Sequence, residues 1–178
     1  MQRQIMTDRP AMGVRRFGRV NWLGLWTLAR REIMRFAAVW QQTVFAPLMT
    51  AGLFVLVFAL ALGQNRGEVM GLPYLVFLGP GILMMTVIQN AFANTSSSIT
   101  SAKVQGNIVD TLMPPLSPAE LLAGYLAGSV ARAGLVALVI GTGMVLVTGK
   151  GITHPLWAVT FVLLAALLLG GLGILAGI

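Results

Sequence analysis

The sequence predicts an all-α membrane protein, with an N-terminal interfacial amphipathic helix followed by about four transmembrane helices. Hydrophobic residues make up 57% of the chain and charged residues 10%, whereas a soluble domain carries about 25% charged residues. Long uncharged runs alternate with short polar turns, which indicates that the bilayer surrounds most of the chain. The chain has no cysteine and a single histidine, His154, which argues against disulfides, thiolate metal sites and a histidine metal site.

The positive charge is concentrated at the N-terminus. The first 42 residues hold eight arginines and two acidic residues, which is +6 of the net charge of +7. Beside a membrane span, such a flank is typical of the cytoplasmic side, where it faces anionic lipid. Nucleic-acid binding is the less favoured alternative. Residues 1–20 are therefore predicted to form a basic cytoplasmic tail, and not a cleaved signal, because no apolar core follows Arg15 and Arg16 at the right distance.

Helical periodicity over residues 21–41 predicts a helix that lies in the membrane interface. Its apolar residues share one broad face, made of Trp22, Leu25, Trp26, Ala29, Ile33 and Phe36. Tryptophan and arginine on an amphipathic helix suit the headgroup layer, where the rings enter the apolar region and the guanidinium groups stay in water. The residues assigned to this interface are Trp22, Trp26, Arg30, Arg31, Glu32 and Arg35.

The first two spans are predicted at about residues 43–62 and 74–94. The first has no charged residue and roughly the 20 residues needed to cross hydrocarbon. Pro47 falls near its start, where a missing N–H is tolerated best. In the second span, the Leu-Gly-Pro-Gly stretch at 78–81 is expected to kink or break the helix near its outer end.

Four polar residues lie inside or close to the apolar runs: Gln89, Asn90, Asn94 and Arg132. Polar groups in lipid must find partners, so the first three form either a frayed helix end at the interface, a helix–helix seam or one wall of a substrate path. An arginine at the centre of a span costs at least about 2.5 kcal/mol. Arg132 therefore either extends toward the headgroups, pairs within the bundle or faces a transported substrate.

The third helix has a clear predicted start. Ser117 can cap it, Pro118 suits its first position and Glu120 completes a capping box, and the helix then continues to about Val147. Gly124 and Gly128 form a GxxxG pair that permits close packing against a neighbour. The fourth span starts near Pro155 and runs to the last residue without a charged flank, which is typical of a chain that is incomplete at its C-terminus.

With the basic tail inside, counting spans places the loop at 100–120 in the cytoplasm and the turns at 63–73 and 149–154 outside. Within residues 103–113, Val104, Ile108 and Leu112 recur at the spacing of an apolar helix stripe. Pro114 and Pro115 should end that helix by forcing Met113 into an extended conformation. The expected result is a stiff corner that transmits movement to the next helix; an amphipathic turn resting on the membrane is the alternative.

The stretches 89–98, 103–110 and 112–121 resemble the ABC-2 type permease family, the membrane subunits of bacterial ATP-driven exporters. The family's loop has a basic residue, a glycine, an acidic residue, a leucine and a Pro-Leu-Ser type of turn. These places are occupied here by Lys103, Gly106, Asp110, Leu112, Pro115, Leu116 and Ser117. The resemblance covers about residues 20–178.

The resemblance implies six spans per subunit, two permease copies forming a homodimer and two separate ATPase subunits. Residues 21–178 would then be a permease domain that is incomplete at its C-terminus. The loop residues expected to couple to the ATPase subunit are Lys103, Gln105, Gly106, Asn107, Asp110, Leu112, Pro114 and Pro115. The expected location is the bacterial inner membrane, with several spans, contact with lipid, a cytoplasmic N-terminus and no nucleic-acid partner.

The chain is not expected to be an enzyme. Its Gly-Lys-Gly turn at 149–151 lacks the upstream glycine and the Ser/Thr of a Walker sequence, so ATP and Mg²⁺ are expected on the partner subunit and no cofactor on this chain. An ion-coupled secondary transporter is one alternative, although it would keep ionisable residues at mid-membrane, where only Arg132 qualifies. An inactive membrane anchor or fragment is the other. The substrate stays open between a drug, a lipid and a polysaccharide.

Overall fold

The computed structural model of the protein describes residues 18, 20–62, 68, 69 and 71–178. Most of the predicted basic tail at 1–20 and much of the turn at 63–73 lie outside the described residues. Within the described part, the helices are α1 (Trp22–Ala38), α2 (Trp40–Leu62), α3 (Tyr74–Val104), α4 (Ile108–Leu112), α5 (Pro118–Thr148) and α6 (Pro155–Gly177). Two short antiparallel strands, β1 (Glu68–Val69) and β2 (Leu72–Pro73), lie between α2 and α3.

Four of these helices, α2, α3, α5 and α6, are long and apolar enough to cross a membrane. This confirms the predicted all-α membrane class and the number of spans. Both α3 and α5 have 31 residues, which is about 46 Å at 1.5 Å per residue, whereas the hydrocarbon layer is about 30 Å thick. The end of α3 and the start of α5 therefore extend beyond the hydrocarbon on the same side, where α4 connects them.

The predicted bounds of the first two spans were too short. The first helix of the membrane part begins at Trp40, so Pro47 lies inside it. Thr43, the predicted start, is instead buried at the corner between α1 and α2, where its hydroxyl donates to the carbonyl oxygen of Phe36 at 3.1 Å. The helix that contains the second span, α3, continues ten residues past the predicted end at Asn94 to Val104.

A break in the second span at 78–81 was predicted wrongly, because α3 continues without interruption through Pro80. Pro80 lies in the second turn, where it removes a single backbone hydrogen bond, and it is exposed at the edge of a cavity between α3, α5 and α6. Gly79 lies on the buried side and contacts Met144.

The core lies where α3, α5 and α6 meet. One apolar cluster joins Val87, Ala91, Ala133 and Ala166, and a second joins Ile99, Tyr125 and Ile174 at the end that carries α4. Small residues allow this approach: a Cβ on Gly173 would lie 2.5 Å from the carbonyl oxygen of Phe92, so α6 rests directly on the backbone of α3. A third cluster links α2 to this core through Ala51.

Candidate functional site

The starts of α1 and α5 are joined by Glu120. Its Oε2 accepts from the backbone N–H of Ser117 at 2.7 Å, and the Ser117 hydroxyl accepts from the N–H of Glu120, so the predicted capping box is confirmed. The Oε1 of Glu120 accepts from the backbone N–H of Asn21 at 2.6 Å, while the Asn21 side chain caps α1 by accepting from Gly24 at 2.9 Å. One buried carboxylate therefore holds two helix starts together.

The glycine pair of α5 is the surface on which α1 lies. A Cβ on Gly124 would lie 2.5 Å from Cδ2 of Leu28, and a Cβ on Gly128 would lie 2.6 Å from Cβ of Glu32. The close packing that the GxxxG spacing predicts is present, and its partner is α1. Because any side chain at either position would push α1 away, α1 and α5 are expected to move as one unit.

The predicted division of α1 into one apolar face and one water-exposed charged face was wrong. Glu32 is fully buried, and the face against the protein consists of Leu28, Ala29, Glu32 and Phe36. Trp22 and Trp26 point away from the rest of the chain and are 72% and 65% exposed. Its buried residues face the bundle and its tryptophans face away from the bundle, so the tryptophans and the buried Phe36 do not share a face.

Glu32 is neutralised by two arginines of its own helix. Its Oε1 lies 3.4 Å from Arg31 and its Oε2 lies 3.3 Å from Arg35. Burial of a charge is tolerated when it is paired in this way. Arg30, by contrast, is exposed.

The two paired arginines also connect α1 to α3 and α4. Arg35 donates to the carbonyl oxygen of Asn94 at 2.7 Å and to its side-chain oxygen at 3.1 Å. Arg31 donates to the hydroxyl of Thr111 in α4 at 2.9 Å. We call Asn21, Arg31, Glu32, Arg35, Asn94, Thr111 and Glu120 the polar cluster; it links α1, α3, α4 and α5.

The loop between α3 and α5 differs from the prediction. A single helix over 103–113 was wrong, because Gly106 adopts a positive φ of 73° that separates the end of α3 from the short helix α4. Val104 and Leu112 are 82% and 62% exposed, so the predicted stripe is not a packed face. Met113 is helical, not extended, since its N–H donates to the carbonyl of Val109 at 2.8 Å.

The predicted coupling residues are all exposed: Lys103, Gln105, Gly106, Asn107, Asp110, Leu112, Pro114 and Pro115. The amino group of Lys103 turns toward α6 and donates to the carbonyl oxygen of Ile178. Sequence reasoning missed Val109 and Met113, which are 55% and 76% exposed, and Thr111, the buried residue that anchors α4. Val109 and Met113 are apolar residues in a polar loop, and this could have marked them as contact residues. They were not selected because neither belongs to the predicted stripe of Val104, Ile108 and Leu112.

A cavity of about 420 Å³ lies between α1, the end of α3 and the loop. Both signs of charge line it, with Arg31, Arg35 and Glu32 on one side and Asp110 on the other. The exposed loop therefore stands next to an open polar space and contacts α1 through the hydrogen bond of Thr111.

A second polar cavity, of about 190 Å³, lies within the membrane-spanning part between α2, α3 and α5. It brings together three of the four predicted path residues, Gln89, Asn90 and Arg132. The fourth, Asn94, lies instead in the polar cluster, where its amide nitrogen is buried without a hydrogen-bond partner. In the portion of the chain that the structure describes, no group of three or more acidic, histidine or cysteine side chains could hold a metal ion.

Comparison with known proteins gives a consistent result. Residues 24–178 match the family model of the ABC-2 type transporter. The inner membrane transport permease YadH of Escherichia coli K12 is 38% identical over 119 residues, which is 67% of this chain and 46% of the relative. Proteins of the same name from Escherichia coli O157:H7 and Shigella flexneri match equally. The match thus spans slightly less than half the length of these curated relatives, and no solved structure matches the chain significantly.

Proposed function

The chain belongs to the ABC-2 type transporter family, and we propose that it serves as the permease subunit of an ATP-driven exporter in the bacterial inner membrane. In this role it moves a substrate across the membrane, while a separate nucleotide-binding subunit holds ATP and Mg²⁺ and hydrolyses ATP. The family and the name of the inner membrane permease that it resembles support this assignment.

The observation that carries the proposal is the exposed loop at 105–115 with its buried attachments. The tip of the loop presents Val109, Leu112 and Met113, all more than half exposed. Three neighbouring apolar side chains exposed in one loop form a patch of the kind that marks an interaction surface, and covering such side chains is favourable. An ATPase subunit that docks here would bury them.

The contacts of α4 with α1 and α5 would transmit movement of a docked ATPase subunit to the membrane-spanning helices. A displacement of α4 acts on α1 through Thr111 and Arg31, whose polar atoms lie 2.9 Å apart. The same displacement acts on α5 through Pro114, Pro115 and the capped start at Ser117, where a rigid corner transmits movement better than a flexible linker. Because α1 rests on the glycines of α5, both helices respond together, as alternating access requires.

We infer the orientation from the charge of the first 42 residues, which favours a cytoplasmic N-terminus; counting spans then puts the loop at 105–115 on the same side. A second permease copy fits the exposure of α2, whose most apolar window is 6% buried within this chain. Most of the surface of α2 is therefore available for contact with lipid, with a second copy or with further spans of a longer protein. The ion-coupled alternative is weaker, since Glu32, the buried carboxylate of α1, is already neutralised by two arginines.

Co-purification tests this function. The full-length protein that contains this chain should be purified from native membranes by an affinity tag, and a stoichiometric ATPase subunit should accompany it through gel filtration. ATP turnover by the complex should require that subunit. A stable, folded permease that elutes without any ATPase, and that transports its substrate with an ion gradient alone, would contradict the proposal and favour the secondary transporter.

A further inference from the structure

The polar cavity in the membrane-spanning part carries one positive charge. Of its lining residues, Gln89 and Asn90 lie near the middle of α3, and Arg132 lies near the middle of α5. Arg132 is half-buried, and its Nε is fully buried without a hydrogen-bond partner. An arginine in this position is unfavourable within a bilayer unless an anion or a polar group compensates it.

The protein itself does not neutralise this charge within the described ranges. The salt bridges found there are those of Glu32 with Arg31 and Arg35, which belong to the polar cluster on α1. The amide nitrogen of Asn90 donates to the carbonyl oxygen of Thr86 at 2.9 Å and so is directed to its own helix. Arg132 therefore contributes an uncompensated cation to the cavity.

The remaining polar lining groups are neutral, and Ala46 and Pro47 of α2 add an apolar portion to the lining. Gln42 and Thr50 come from α2 and Gln89 from α3, and all three are exposed. A guanidinium group beside the amide groups of Gln42 and Gln89 suits a phosphate or carboxylate group, whereas the Thr50 hydroxyl donates to the carbonyl oxygen of Ala46 at 2.9 Å. On α2, the neighbouring residues Phe45 and Met49 are 55% and 69% exposed, so an apolar surface adjoins the polar opening.

We propose that this cavity binds the anionic headgroup of an amphipathic substrate, with Arg132 as the charge-recognising residue and the apolar surface of α2 beside its hydrocarbon part. This inference rests on the proposed function as a permease, and it restricts the substrate class to molecules that carry a phosphate or carboxylate group. In this proposal Arg132 contacts the anionic group of the substrate, whereas a structural arginine would contact only neighbouring helices.

The test uses the full-length permease complex in phosphatidylcholine nanodiscs. Binding of dioctanoyl phosphatidic acid and of dioctanoylglycerol, which share the same acyl chains, is measured by microscale thermophoresis. We expect the wild type to bind the phosphatidic acid about tenfold more tightly, because a charge-assisted pair in a low-dielectric site supplies roughly that factor. Competition by inorganic phosphate then distinguishes the sources: displacement assigns recognition to the anion alone, and failure to displace assigns it to the whole amphiphile.

Three variants assign the preference to Arg132. Arg132→Gln should bind both lipids equally, Arg132→Lys should keep a preference for the phosphatidic acid, and Arg30→Gln, which alters an exposed arginine of α1, should behave as the wild type. Equal binding of the two lipids by the wild type would overturn the inference, and this comparison needs no variant to fold. An undiminished preference in Arg132→Gln would overturn it as well. The ATPase subunit is measured in the same samples. If the subunit is retained but the lipid preference is absent, the headgroup inference fails while the proposed function stands.

Discussion

Replacing Leu112 and Met113 together by aspartate is expected to abolish the association of the permease with its ATPase subunit. Both side chains lie at the tip of the loop at 105–115 and are 62% and 76% exposed. Burial of two such side chains on docking contributes about 3 kcal/mol or more, which corresponds to a loss of affinity on the order of 100-fold. The measurement is the amount of ATPase that co-purifies with the double variant.

Ile152→Asp is the matched control for this double variant. Ile152 is 55% exposed in the turn between α5 and α6, at the opposite end of α5 from the loop. This variant should retain the ATPase at the wild-type level, because the proposed topology puts the turn on the opposite side of the membrane from the loop. If the double variant also retains the ATPase while both proteins remain folded by gel filtration, the loop is not the docking surface.

Replacing Glu32 by glutamine is expected to destabilise the end of the molecule that holds the polar cluster by about 2–3 kcal/mol. The substitution keeps the shape of the side chain, but it leaves Arg31 and Arg35 without the carboxylate that lies 3.4 and 3.3 Å from them. Breaking a buried ion pair from one side costs about 3–5 kcal/mol, and the partial exposure of both arginines reduces this effect. The complex that contains this variant should also transport less substrate for each ATP that its ATPase subunit hydrolyses, because α1 is then less firmly held.

Scanning fluorimetry of the purified complex measures the stability effect. Arg30→Gln serves as the control on the same helix and should unfold at the wild-type temperature. Combining Glu32→Gln with Arg35→Gln should restore part of the lost stability, since the second change removes an uncompensated charge. A wild-type unfolding temperature for Glu32→Gln would show that the buried carboxylate does not hold α1 to the bundle.

Local features of this chain were predictable, and long-range ones were not. The capping box of Ser117 and Glu120 depends on residues three positions apart, and the number of spans depends on the length of apolar runs. The burial of Glu32 depends on Gly128 of another helix, and the bond from Asn21 to Glu120 joins residues 99 positions apart. A charged residue in an amphipathic pattern is read as exposed because the pattern contains no information about its partner.

The loop shows the same limit at shorter range. The spacing of Val104, Ile108 and Leu112 fits a helix, and Gly106 was the signal against it, because glycine at a positive φ interrupts a helix at little steric cost. The residue before Pro114 was expected to be extended, but the hydrogen bond of Met113 to Val109 completes the last turn of α4 instead. In the membrane part, Gln89, Asn90 and Arg132 could be identified from the sequence as polar residues within apolar runs. That they line one cavity depends on the packing of α2 against α3 and α5, which the sequence pattern does not contain.

The most direct test of the central claim, that the loop at 105–115 receives the ATPase subunit, is site-specific photocrosslinking in intact cells. A benzophenone amino acid is placed at Met113, and in a separate strain at Ile152, in the full-length protein. The account predicts an ultraviolet-dependent adduct between the ATPase subunit and the protein labelled at position 113, and none from position 152. An adduct from position 152, or none from position 113 in cells whose complex is active, would contradict both the docking surface and the cytoplasmic placement of the loop.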